Sequence, residues 1–253
     1  MTWFAPNLTP NKHCFCGAEG GVSTGFYQGL NVNTRSDDTP ENIKQNLDIA
    51  AARVGLKKEN LLLLVQGVSA TAVYVDKAVQ DIIEADGLVT DKPNIGLCIR
   101  TADCAPVLFE DRKNRIIGAA HAGWRGAFKG VIENVVALMI EKGAQLQNIA
   151  AAVGPCIGQN SYEVDHIFYE QFLENDSNSA QYFIEGKKEN FYQFNLELYC
   201  INKLKKLGID NITASRQDTY MLQDSYYSFR RFTHQGLIQK PKCFPTELSV
   251  ITL

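Results

Sequence analysis

The sequence lacks several features that would assign it at once to a functional class. Its 25 lysines and arginines are outnumbered by 28 aspartates and glutamates, which gives a net charge of -3. It therefore lacks the basic surface that nucleic-acid-binding domains carry. Its longest apolar runs, at residues 61–65 and 135–140, fall far short of the roughly 20 residues that cross a bilayer. We expect partners that are neither nucleic acids nor membranes.

The cysteines do not form a recognisable framework. Seven of them are scattered over 253 residues, and an odd number leaves at least one unpaired. Cys14 and Cys16 make a single CxC pair, which without a second such pair is a weak metal signal. The first 16 residues have no charged region followed by an apolar one, as a secretory signal would. These features predict reduced thiols and a cytoplasmic protein.

Capping residues and apolar spacing predict several helices. Thr39 followed by Pro40 is a typical helix start, because proline is favoured at the first helical position. Apolar residues then recur at helical spacing, and Gly55 stops the pattern. The predicted helices cover residues 39–55, 126–142 and 195–208, with a shorter one after Asp165.

Short β-type runs lie between these helices, and the polar segment 175–190 is predicted to be a surface loop. The predicted strands are Leu61–Val65, Ala72–Val75, Ile95–Arg100, Ala105–Phe109, Ile116–Ala120, Ala150–Val153 and Leu248–Leu253. Strands and helices alternate without a strict βαβ rhythm, and no linker or repeat interrupts them. We predict an α/β (α+β) fold, a single domain over residues 1–253 with layered mixed sheets covered by helices.

Two reactive side chains stand at the ends of two predicted strands. Residues 110–115 form a polar turn between these strands, so antiparallel pairing would bring Cys104 close to His121. Such a pair can share a zinc ion, or form a thiolate–imidazolium nucleophile with Asp103 as a possible orienting group. It can equally be a buried thiol beside a hydrogen-bonded histidine. The pair alone leaves all three interpretations open.

The glycines after His121 strengthen the functional interpretations. Residues 123–126 read Gly-Trp-Arg-Gly and lead directly into a predicted helix. Free backbone N–H groups at its start, together with Arg125, would suit an anion such as phosphate. The alternative is that the glycines only permit a tight turn.

Six motifs together resemble the YfiH/laccase-domain family. They are GGVSTGFYQGLN (20–31), ADGLVT (85–90), TADCAPVLFED (101–111), GAAHAGWRG (118–126), VGPCIG (153–158) and SFRRFTHQG (228–236). They occur in the family's order from about Gly20 to the C-terminus. Several independent motifs of this length are hard to obtain by chance.

The resemblance implies a YfiH-like single domain and a catalytic zinc held by His, Cys and His. It implies a purine nucleoside phosphorylase that uses phosphate with adenosine, inosine or methylthioadenosine, and that also deaminates adenosine. The cysteine ligand corresponds to Cys104 and the second histidine to His121. Copper-dependent oxidation of phenols is the least expected activity, since one cysteine and few histidines make no set of copper sites.

Two motifs depart from the family's pattern. Val68 stands where the first ligand histidine belongs, and valine has no lone pair for a metal. His234 is the better of the remaining histidines as a substitute ligand. Near the end, Thr246 stands where many members have an arginine. We therefore expect low zinc occupancy and attenuated nucleoside activity.

The predicted catalytic residues are Cys104, His121 and Asp103, and the first two are also the predicted metal ligands. The candidate contacts to phosphate or substrate are Ser23, Arg35, Arg125, Arg230 and Arg231. Two other functions remain open. One is a metal-independent cysteine hydrolase or amidase built on Cys104 and His121. The other is a catalytically silent member that keeps only the fold.

Overall fold

The structure is a computed structural model that describes residues 1–78, 83–238, 240 and 243–253. Its helices are α1 (Pro40–Ala52), α2 (Trp124–Lys129), α3 (Val131–Glu141), α4 (His166–Asn175), α5 (Leu196–Lys206) and α6 (Phe229–His234). Its strands are β1 (His13–Phe15), β2 (Leu61–Leu63), β3 (Ala72–Tyr74), β4 (Gly87–Thr90), β5 (Gly96–Thr101), β6 (Ala105–Asp111), β7 (Ile116–Ala122), β8 (Ile149–Val153), β9 (Glu163–Asp165), β10 (Phe183–Glu185), β11 (Phe191–Phe194), β12 (Asn211–Ala214) and β13 (Glu247–Ile251). None of the helices in these ranges is long and apolar enough to cross a bilayer.

Two mixed sheets stack face to face. One has the strand order β1-β13-β5-β2 and the other β12-β8-β6-β7-β4-β3. Because successive side chains of a strand point to opposite faces of the sheet, one strand packs against two different layers. Leu108 of β6 packs between the sheets, whereas Val107 and Phe109 face the helices α3 and α5. On the far side, Cys98 of β5 packs towards α1. The fold therefore has four layers, helix–sheet–sheet–helix, which is the predicted mixed α/β architecture.

The helix predictions hold with one change. Thr39 caps α1 through its side chain, Asn195 caps α5 and Asp165 caps α4, as the sequence predicts. The helix predicted over 126–142 is instead two helices, α2 and α3. Gly130 separates them with a φ of 99°, a left-handed conformation that interrupts a helix.

The polar segment 175–190 is more ordered than a surface loop. Residues 177–182 form a 3-10 helix, and β10 follows within the segment. β10 joins β11 and β9 in a small antiparallel sheet whose aromatic side chains pack on Phe172 of α4. The sequence analysis missed this sheet because its strands have only three or four residues, which is too short for a clear alternating pattern.

Candidate active site

The hairpin of β6 and β7 brings Cys104 and His121 together. Pro106 pairs with His121 across the ladder, so Cys104, which precedes β6, lies opposite Gly123. A Cβ added to Gly123 would lie 2.8 Å from the Cys104 Sγ and 3.7 Å from the His121 Nε2. Glycine is therefore required there, because any side chain would displace the thiol. The predicted proximity of the two reactive side chains is confirmed.

Asp86, immediately before β4, contacts the histidine. The His121 Nδ1 lies 2.8 Å from the Asp86 Oδ1. Three successive backbone N–H groups, of Gly67, Val68 and Ser69, donate to the same carboxylate at 3.2, 3.1 and 2.6 Å, and the Ser69 hydroxyl donates at 2.7 Å. This carboxylate fixes both the ring and residues 67–69, and it leaves the His121 Nε2 facing Cys104.

These contacts set the charges of the site. Burial raises the pKa of Asp86, but the hydrogen bonds from His121 and Ser69 outweigh it and lower the pKa to about 2. Burial lowers the pKa of His121, but the electrostatic interaction with Cys104 and the hydrogen bond to Asp86 outweigh it and raise the pKa to about 9. The arrangement therefore favours an imidazolium beside the Asp86 carboxylate at neutral pH.

Asp103 does not orient His121, contrary to the role that the sequence suggested. Its carboxylate accepts hydrogen bonds from the Thr219 and Ser228 hydroxyls, at 2.7 and 2.9 Å, and from the Arg230 N–H at 2.7 Å. Its φ of 93° is strained for a non-glycine residue. Asp103 therefore holds the start of α6 against β6, and Asp86 takes the orienting position that sequence order did not reveal.

The residues present do not complete a zinc site. Cys104 and His121 supply two donors, whereas catalytic zinc has three protein ligands. Val68, which stands in the sequence where the third ligand is expected, lines the same cavity and offers only methyl groups. In the described part of the chain, no group of three or more His, Cys, Asp or Glu side chains is placed to hold a metal ion.

The two possible substitutes lie elsewhere. The His234 Nδ1 is 3.0 Å from the Tyr220 hydroxyl, and His234 does not line the cavity. Cys156 is buried in the core cluster on the helix side of the large sheet, and burial raises its pKa. Neither supplies the missing ligand.

A cavity of about 800 Å³ opens beside the Cys104–His121 pair, a size typical of small-molecule sites. The arginines that line it are Arg35, Arg100, Arg125 and Arg230. The aromatic side chains that line it are Trp124, Tyr162, Phe229 and Phe244. Cationic and aromatic groups in one cavity suit a planar base and an anion.

Three of the five predicted phosphate or substrate contacts line this cavity, and two do not. Arg231 is buried and donates to the carbonyl oxygens of Thr219, Tyr220 and Tyr226, so it stabilises the fold. The Ser23 hydroxyl donates to Asp38 at 2.6 Å and does not line the cavity. The sequence could not separate Arg230 from Arg231, because their directions depend on how α6 is oriented.

The start of α2, where the sequence predicts an anion site, places the Arg125 side chain at the cavity. α2 has only six residues, and Gly123 caps it without a side-chain hydrogen bond. The Arg125 guanidinium lies over the Trp124 ring, 4.3 Å from its centroid, and the Arg230 guanidinium lies 5.1 Å from the centroid of the Tyr162 ring. Stacking on aromatic faces holds both guanidiniums beside the thiol.

The whole chain resembles proteins that are already known. Residues 12–239 match the family described as multi-copper polyphenol oxidoreductase laccase. The chain belongs to this YfiH/laccase-domain family. A purine nucleoside phosphorylase of Rickettsia conorii is 37% identical over 232 residues, which cover 88% of this chain and 95% of the relative. The purine nucleoside phosphorylase YfiH of Escherichia coli K12 is 30% identical over 218 residues, covering 84% and 85%.

Solved structures of the family share the fold. A Neisseria meningitidis protein superimposes with a TM-score of 0.84 at 30% identity, covering 95% of this chain and 93% of its own. The YfiH protein of Bacillus licheniformis gives a TM-score of 0.85 at 26% identity, covering 95% and 92%. The layered YfiH-like architecture predicted from the motifs is confirmed.

Proposed function

We propose that this protein is a purine nucleoside phosphorylase that acts on adenosine, inosine and methylthioadenosine with inorganic phosphate. The observation that carries the proposal is the joint placement of the Cys104–His121–Asp86 chain and the stacked arginines at one cavity. The relatives that bear the name purine nucleoside phosphorylase support it.

Each group has a task in phosphorolysis. Arg125 and Arg230 hold the attacking phosphate, since guanidinium groups match its oxygens. The glycosidic C1′–N9 bond breaks with its electron pair going to the purine. The His121 Nε2–H donates a proton to the departing base, and the Asp86 carboxylate stabilises the imidazolium before transfer. Asp86 keeps the ring oriented for that transfer.

Zinc is not needed for these steps. Cys104 and His121 are the two side chains that would hold a zinc ion, and a bound zinc would supply an activated water for adenosine deamination. Two donors are one fewer than a catalytic zinc requires. We therefore propose low zinc occupancy and a deaminase activity weaker than the phosphorylase activity. We also propose that the protein works in the cytoplasm, since all seven cysteines are free thiols in the structure.

The test is release of the free base from inosine, adenosine and methylthioadenosine, with and without phosphate. Base release that requires phosphate and yields ribose 1-phosphate supports the proposal. His121→Gln should abolish most of it, and Glu141→Gln, at an exposed position outside the cavity, serves as the folded control. Base release that ignores phosphate would overturn the proposal, and no turnover with any substrate would indicate a catalytically silent family member.

One observation favours a second candidate, a cysteine hydrolase or amidase. Cys104, His121 and Asp86 follow one another as a nucleophile, base and carboxylate do in thiol hydrolases. Such an enzyme would form an acyl thioester on Cys104 with amide or ester substrates. Mass spectrometry of the intact protein detects that adduct, and its loss in Cys104→Ser, together with the absence of phosphate-dependent base release, would favour this function.

A further inference from the structure

A second pair of arginines, Arg35 and Arg100, lines the cavity and has no task in the proposed phosphorolysis steps. Arg35 follows the buried Asn33, and Arg100 belongs to β5. Burial lowers the pKa of Arg100, and the positive charge of Arg35 beside it lowers that pKa further. The Arg100 guanidinium contacts Thr34, the residue before Arg35, and both arginines line the cavity, so the two side chains are neighbours of like charge.

Neutral groups hold the Arg100 guanidinium in place. It donates to the Thr34 hydroxyl at 3.0 Å and to the Leu64 carbonyl at 2.8 Å. The Gln66 side-chain amide donates to the Arg100 carbonyl oxygen at 2.7 Å and accepts from the Arg100 N–H at 2.9 Å, which fixes the backbone of Arg100. These acceptors position the guanidinium but leave its charge uncompensated.

No ion pair among the described residues includes either arginine. The Asp37 carboxylate, close in sequence, is taken by Lys240 at 2.8 Å. Two adjacent guanidiniums without a carboxylate repel each other, and an anion bound between them would remove that cost.

Thr246 is a third residue of the same wall. It lines the cavity and is only 8% exposed. Its N–H donates to the Asn31 Oδ1 at 3.2 Å, whereas its buried hydroxyl has no hydrogen-bond partner within the described ranges. A buried hydroxyl without a partner is costly unless a ligand satisfies it.

The other arginine pair has different neighbours. Arg125 stacks on Trp124, which follows the Gly123 that lies against the Cys104 Sγ, and Arg230 stacks on Tyr162. That pair therefore lies on the thiol side of the cavity, whereas Arg35 and Arg100 line it together with Thr246 and Gln66. Phosphorolysis consumes one inorganic phosphate, which occupies one pair.

We propose that Arg35, Arg100 and Thr246 form a second anion subsite that binds a phosphate monoester carried by the substrate, so that the preferred substrate is a purine nucleoside 5′-monophosphate. The proposal rests on the proposed phosphorylase function. Inorganic phosphate forms the new C1′–O bond, the C1′–N9 bond breaks, and the purine leaves with the electron pair and takes up a proton. The 5′-phosphate is untouched, so the products are the free purine and ribose 1,5-bisphosphate.

The kinetic test compares inosine with inosine 5′-monophosphate at saturating inorganic phosphate. We expect kcat/KM to be at least about 10-fold higher for the monophosphate, the effect of one charge-assisted hydrogen bond. Arg35→Gln should bring the ratio of the two kcat/KM values close to one. Arg35 is the better choice for substitution because its side chain is exposed, whereas Arg100 also holds the Leu64 backbone.

A binding measurement keeps the test independent of turnover. Titration calorimetry with ribose 5-phosphate and with ribose, both in saturating inorganic phosphate, should show binding of the phosphate ester only, and Arg35→Gln should lose it. Equal kcat/KM values for inosine and inosine 5′-monophosphate, together with no binding of ribose 5-phosphate, overturn the subsite. If Arg35→Gln instead raises the KM for inorganic phosphate with both substrates, the pair holds the co-substrate; the second subsite is then refuted while the phosphorylase function stands.

Discussion

The Nδ1 of His121 lies 2.8 Å from the Oδ1 of Asp86, although 35 residues separate them in the chain. The same carboxylate gathers the N–H groups of residues 67–69, the segment in which Val68 occupies the expected ligand position. Asp86 therefore contacts both the reactive His121 and the segment that contains Val68. A substitution in either of these two places should change the position of the other.

Removing the Asp86 charge should impair catalysis through His121. In Asp86→Asn we expect kcat/KM for phosphorolysis to fall roughly 10- to 100-fold, the usual cost of losing an orienting partner. Ser69→Ala is the matched control, because it removes one contact to Asp86 and leaves the His121 contact intact. Steady-state kinetics on folded protein, with melting temperatures for both variants, distinguish the two effects. Equal losses in both variants would contradict the orienting role.

Val68 should carry backbone strain that other residues relieve. Its φ is 55°, a left-handed conformation that is unfavourable for a β-branched residue. Asparagine tolerates this region, so Val68→Asn should raise the free energy of unfolding by about 1 kcal/mol. Urea unfolding of the two proteins measures the difference, and a destabilised asparagine variant would count against the strain.

Val68→His should relieve the same backbone strain at position 68, and it should also create zinc binding. Histidine would supply the third donor beside Cys104 and His121, and elemental analysis should show zinc approaching one ion per chain. Val68→Asn is the control, since it relieves strain without adding an imidazole. The original chain should contain little zinc when purified without added metal; one zinc per chain in that protein would refute the incomplete site.

Glu247 should make stability fall as pH rises. Burial raises its pKa well above the ordinary value, its Oε1 accepts the Tyr227 N–H, and its Oε2 has no partner in the described residues. The unfolded chain releases this proton near pH 4.5 while the folded chain retains it, so the unfolded state gains stability as pH rises above that value.

Glu247→Gln removes the titrating proton without changing the shape of the side chain. The variant should exceed the original protein in free energy of unfolding by about 1–3 kcal/mol at pH 7, and the gap should close towards pH 4. Glu141→Gln, at an exposed position, provides the matched substitution. Urea unfolding across this pH range tests the prediction, and a gap that is constant with pH would contradict it.

The neighbouring arginines Arg230 and Arg231 should behave differently. Arg231→Lys loses the planar set of donors to three carbonyl groups, and we expect about 2 kcal/mol of destabilisation with little change in the KM for phosphate. Arg230→Lys should raise that KM roughly 10-fold with little effect on unfolding. Phosphate kinetics and urea unfolding of both variants test these two roles. A KM for phosphate that rises in Arg231→Lys and not in Arg230→Lys would contradict the proposed contact of Arg230 with phosphate.

The sequence predicted most of the layered fold because its signals are local. Thr39, Asn195 and Asp165 cap helices through contacts within three residues, and short, mostly apolar runs joined by a polar turn mark β6 and β7. The hairpin placed Cys104 beside His121 for the same reason, since a short turn fixes the pairing of adjacent strands. The break at Gly130 was missed because apolar spacing continues across it.

The sequence by itself determined the family and singled out Cys104 and His121, and it predicts that Val68 replaces a metal ligand. Only the tertiary structure decided that Asp86 rather than Asp103 orients His121, that Arg230 rather than Arg231 faces the cavity, and that Arg100 stands beside Arg35. These relationships join residues far apart in the chain, and they depend on how sheets stack and on which way a helix turns its side chains. Local periodicity carries no information on either.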